Sequence, residues 1–113
     1  KEEECRRRAH HAAIRACAMT QGDPDRKGRA LRSAVRIAKS MKEAAAAGME
    51  TMGPSPRTYA LLLDCCRRLL PATDGSRARA ALGIFKQCRS EGMVDADVLR
   101  SFRSAASGGP GGG

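Results

Sequence analysis

The chain has 113 residues, with 21 Lys and Arg against 12 Asp and Glu, for a formal net charge of +9 with His neutral. Apolar residues make up 42% but aromatics only 3%, and Trp is absent, which argues against a large core and against an aromatic platform that stacks single-stranded bases. No apolar run approaches the roughly 18–20 residues of a transmembrane helix, so no membrane span is expected, and Gly and Pro are too few for a collagen-like chain.

The sequence opens at Lys1 with no initiator Met and no signal-like apolar segment. Because Glu2 already sits in helical composition, a piece of a longer protein is expected. Ala, Arg, Leu, Lys, Glu and Met dominate, β-branched residues are scarce, and no stretch alternates with period two, so the fold class is all-α. A first helix is predicted from about Glu2 to Met19, with Ala9, Ala13, Ile14, Cys17 and Ala18 as its apolar face and Thr20 to Pro24 as its stop. Pairing of Glu2, Glu3 and Glu4 with Arg6, Arg7 and Arg8 one turn on supports it.

A second helix runs from about Lys27 to Ala47, where Leu31, Ala34, Val35, Ile37, Ala38 and Met41 form a stripe and Gly48 ends it. The loop from Met49 carries the breaker Gly53-Pro54-Ser55-Pro56. A third helix extends from Pro56 or Arg57 to Leu70, with Tyr59, Leu62, Leu63, Cys66 and Leu69 or Leu70 buried. Beyond the turn at Pro71 to Ser76, a fourth helix reaches Glu91 and buries Ala78, Ala81, Leu82, Phe85 and Cys88. Asp95 or Asp97 caps a short fifth helix to Ala106 that carries Val98, Leu99 and Phe102. The Gly-rich end, 107–113, reads as a linker.

Five cysteines, Cys5, Cys17, Cys65, Cys66 and Cys88, form an odd set with no Cys-x-x-Cys pair. That pattern suits reduced thiols packed as small apolar residues in a reducing compartment, not a disulfide framework. His10 and His11 do not complete a metal set with them, and no metal, cofactor or small-molecule substrate is expected. The aspartates lie in turns or at caps, no phosphate loop is present, and no catalytic group of side chains stands out, so the chain is not expected to be an enzyme.

Self-similarity carries more information. His10 to Cys17 aligns with Tyr59 to Cys66 at an offset of 49, and Ala34 to Met41 aligns with Ala81 to Cys88 at an offset of 47. Two helix hairpins thus recur, residues 1–49 and 50–94, and residues 95–106 form the first helix of a partial third unit or a cap. Hairpins that expose an apolar side bury it by stacking in a row, so an α-solenoid of about two and a half repeats is expected, with a plain helix bundle as the alternative.

The stretch Pro56-Arg57-Thr58-Tyr59-Ala60-Leu61-Leu62-Leu63-Asp64-Cys65-Cys66-Arg67 resembles the first helix of a pentatricopeptide repeat. Ala81-Leu82-Gly83-Ile84-Phe85-Lys86-Gln87-Cys88, with Gly92 four residues on, is similar to the second. Ala34 to Met41 fits the same second-helix pattern. The resemblance spans about residues 9–106, although the spacing exceeds the standard unit of about 35 residues and His10 stands where Tyr is usual.

The resemblance implies single-stranded RNA along the surface of successive first helices, and a mitochondrial or plastid setting. In the family a polar residue two positions after the Tyr, with another at the end of the unit, reads one base. Here those positions hold Ala12 and Leu61, with Pro56 near the end of the first unit, and none can make a base-distinguishing hydrogen bond. The expected contacts are therefore to phosphate, through Arg6, Arg7, Arg8, Arg15, Arg67 and Arg68 on or beside first helices. Two other roles remain open: a protein–protein scaffold subunit of an organellar ribosome or other large assembly, and the substrate-gripping part of an RNA-processing nuclease such as protein-only RNase P.

Overall fold

The structure is a computed structural model that describes residues 2–49, 52–71 and 75–106, without the side chains of residues 2–4. It holds five helices: α1 (Glu2–Ala18), α2 (Pro24–Ala46), α3 (Pro56–Leu69), α4 (Ser76–Ser90) and α5 (Ala96–Ala106). Among the described residues there is no strand, so the all-α class is as expected. The Gly-rich end at 107–113 and the pairing of Glu2, Glu3 and Glu4 lie outside the described residues and side chains.

Local chemistry sets the helix ends. Asp23 Oδ1 accepts the Arg26 N–H at 2.8 Å, and Pro24 takes the first helical position, where its missing N–H costs nothing. The cap starts α2 three residues before the expected Lys27. Asp95, rather than Asp97, caps α5 by accepting the Val98 N–H at 2.9 Å. Gly48 and Gly92, with φ of +107° and +70°, end the second helix of each hairpin. Just past them Met49 donates to the Ala44 carbonyl and Met93 to the Cys88 carbonyl, at 3.0 and 3.1 Å, closing the last turns in the same way.

α3 is the hub of the fold and packs against all four other helices. The remaining backbone contacts join α1 to α2 and α4 to α5, whereas the backbones of α2 and α4 do not approach one another. Contact on so many sides explains why α3 buries Thr58, Tyr59, Leu62, Leu63, Cys65, Cys66 and Leu69, more than one stripe can hold. Phe85 of α4, half-buried, stacks on Phe102 of α5 with ring centroids 4.3 Å apart.

Several expected core positions lie elsewhere. On α1, Ile14 and Ala18 are buried as expected, but Ala9 and Ala13 face solvent and His11 turns inward. On α2 the buried line is Ala34, Ala38 and Met41, which leaves Val35 at the edge with 45% of its surface exposed. Leu82 and Leu99 are likewise exposed, while Met52, with Gly53 and Pro54, is buried in the loop before α3. None of the five cysteines is in a disulfide. Burial pushes the Cys65 thiol up to about 12 and those of Cys66 and Cys88 up to about 11, so all three stay protonated and unreactive at neutral pH.

Candidate nucleic-acid interface

The six predicted arginines do not form one cluster. Arg6, Arg8 and Arg15 are exposed on α1, where Arg8 and Arg15 lie two turns apart on one side and Arg6 points away from them. Arg7 is half-buried, and its Nε is shut off from solvent with no hydrogen-bond partner among the described residues. Arg67 and Arg68 lie at the end of α3, both engaged by one carboxylate: Asp64 accepts from Arg67 Nη2 at 2.6 Å and from Arg68 Nε at 3.0 Å. The pair therefore offers about one net positive charge rather than two. Arg68 and Lys27 line a shared hollow beside the α1–α2 turn.

The groove between α3 and α5 also differs from the expectation of a basic first-helix surface. It encloses about 420 Å3 and brings Asp64, Asp95 and Asp97 together with Arg57 and Arg100. Leu61 lines it as an apolar, half-buried wall and offers no base-reading group. Asp97 pairs with Arg100 at 3.2 Å, so little positive charge is free there.

Charge is concentrated on the second helices instead. α2 carries seven basic and two acidic residues, and α4 carries four basic residues and no acidic one. Of the α2 cations, only Lys42 forms an ion pair among the described residues, with Glu91 at 2.8 Å. Between α2 and α4 runs a largely apolar groove of about 360 Å3, floored by Tyr59 and Leu62 and flanked by Val35 and Ile84, with Lys39 at its rim. Gly83 also lines it, and a Cβ there would meet nothing within 4 Å.

The Thr58-Tyr59 dipeptide serves packing. Tyr59 donates its hydroxyl to Glu91 at the end of α4, and the same carboxylate accepts from Lys42 of α2 and, at 2.6 Å, from Gln87. Burial, then the bond to Glu91, pushes the Tyr59 phenol above its ordinary value. Burial alone would raise the Glu91 carboxyl, but its bonds to Lys42, Tyr59 and Gln87 outweigh it and hold the group below its ordinary value. Thr58 Oγ1, fully buried, accepts the Ser55 N–H at 3.0 Å and lies 2.7 Å from His11 Nε2. Beyond the Ser55 N–H, the hydroxyl keeps a proton to give and a second lone pair, so the contact with His11 is a hydrogen bond in either imidazole tautomer.

Burial first, and then the charges of Arg57, Arg7, His10 and Arg15, lower the His11 pKa from its ordinary 6.5. The unfolded chain then binds the proton more tightly, so this contribution to stability is complete above about pH 6.5 and is lost as pH falls below it. Urea midpoints at about pH 7.5 and about pH 5.5 are expected to differ more for the wild type than for His11→Gln. Equal differences would remove His11 as the source.

Among the described residues no three His, Cys, Asp or Glu side chains lie together as a metal site, and no helix is long and apolar enough to cross a membrane. Compared with known protein families, with curated proteins and with solved structures, the chain has no match.

Proposed function

We propose that this chain is a pentatricopeptide-like array of stacked hairpins that grips single-stranded RNA through its phosphates, in organellar RNA metabolism or an organellar ribonucleoprotein. The helix adjacencies support the array. Each hairpin, α1–α2 and α3–α4, closes on itself; α1, α3 and α5 neighbour one another in succession; and the backbone of each second helix packs on the next first helix but not on the other second helix. The observation that carries the RNA reading is the surplus of basic side chains. Lys42, Arg67, Arg68 and Arg100 are the basic residues in ion pairs among the described residues, which leaves most of the +9 charge open to a polyanion.

Fluorescence anisotropy with short labelled RNAs tests this. Because Ala12 and Leu61 supply no base-reading group, unstructured oligouridylate, oligoadenylate and oligocytidylate are expected to bind with affinities within about threefold of one another. A folded sample that binds none of them at low salt would overturn the reading. A second reading, a protein scaffold, is favoured by the apolar α2–α4 groove with its exposed Val35. Binding of a protein partner that persists at high salt, with no RNA binding, would select it.

A further inference from the structure

The pentatricopeptide resemblance directs RNA to the first helices, but the charge lies on the other side of the hairpins. The first helices α1, α3 and α5 together carry nine basic and five acidic residues, while α2 and α4 carry eleven basic and two acidic. Within α2, Arg29, Arg32, Arg36 and Lys39 recur at i, i+3, i+7 and i+10, which sets them in one row. That row lies on the side of the helix opposite the buried line Ala34, Ala38 and Met41, and all four residues are exposed. At 1.5 Å per residue it is about 15 Å long.

None of the four forms an ion pair or a side-chain hydrogen bond among the described residues. Asp25 and Glu43 stand one turn beyond either end and pair with neither Arg29 nor Lys39. Four like charges along three turns repel one another in the free protein, a cost that a polyanion relieves on binding.

Resting on the RNA reading above, we propose that the RNA phosphates track the outer face of α2 along Arg29, Arg32, Arg36 and Lys39, rather than the surface of the first helices. A regularly spaced line of cations suits a regularly charged strand. The flanking small hydroxyls of Ser33 and Ser40 leave room for the sugar–phosphate chain, and Ser40 already directs its hydroxyl to the Arg36 carbonyl at 3.1 Å. A lipid surface fits less well, because Val35 is the one large apolar residue beside the row and an interfacial helix needs an apolar face to insert.

The test compares the full 113-residue chain with two variants, Arg29→Gln/Arg32→Gln/Arg36→Gln/Lys39→Gln and Arg67→Gln/Arg68→Gln, in oligouridylate binding across a salt series. Gln keeps helix propensity at exposed sites, and far-ultraviolet circular dichroism verifies the fold. Should the fourfold variant lose helicity, the doubles Arg29→Gln/Arg32→Gln and Arg36→Gln/Lys39→Gln carry the same test at half the effect. Four phosphates neutralised on a single strand contribute about 2.8 to the log–log salt slope, so between about 50 and 200 mM salt the fourfold variant should lose about 50-fold less affinity than the wild type.

The Arg67/Arg68 variant is expected to change the slope by less than half as much. RNA binding by the wild type with the slope unchanged in the α2 variant would overturn this inference and leave the RNA reading standing. Absence of RNA binding by the folded wild type would overturn both, as would binding to phosphatidylserine vesicles without RNA binding.

Discussion

Leu63→Ala is expected to destabilise the protein by about 2–5 kcal/mol, the range for deleting a buried leucine side chain and leaving its cavity. Leu63 is fully buried on α3, the helix that contacts every other one, so no single neighbour can relax to fill the space. A domain of this size has roughly 5–15 kcal/mol in total, which makes the loss a large share of its stability. Urea unfolding should show a lower midpoint with an unchanged slope. A loss below about 1 kcal/mol would contradict the central place of α3.

Arg77→Ala is expected to cost about 2–3 kcal/mol, because its guanidinium serves two helix ends at once. Nε donates to the Ala105 carbonyl of α5 at 3.0 Å, and Nη1 donates to the Arg67 carbonyl of α3 at 3.1 Å. Both carbonyls lie in last turns, where intrahelical partners run out and the helix dipole favours a cation. Arg77→Lys should recover less than half of the loss, since a single ammonium cannot span both acceptors with the planar fork. Full recovery by Lys would show that the charge alone matters. Thermal or urea unfolding of the two variants decides between these outcomes.

Gly48, Pro56, Pro71 and Gly92 punctuate the chain strongly enough that all five helices are legible in the sequence, and Leu62, Leu63 and Cys66 mark the inner side of α3. The facing of α1 is legible only in part: Ile14, Cys17 and Ala18 mark its inner side, but His11 does not read as a buried residue. Its partner Thr58 lies 47 residues further on, and Ala9 and Ala13 are nearly neutral between core and solvent. Arg77 is hidden for the same reason, since its acceptors are 10 and 28 residues away and are backbone atoms.

Two features were within reach of the sequence. Asp64 precedes Arg67 and Arg68 by three and four residues, the spacing of helical ion pairs, which marks those arginines as partly neutralised. The α2 row repeats at helical spacing opposite an apolar stripe, but the adjacent run Arg6-Arg7-Arg8 draws the eye although its members point in different directions around α1.

The salt dependence of RNA binding by the unaltered chain tests the central claim most directly. Phosphate gripping by the four α2 cations, with any further contacts added, predicts that log affinity falls linearly with log salt at a slope of about −3 or steeper. A flat salt response, or no binding by a folded sample at low salt, would contradict the claim.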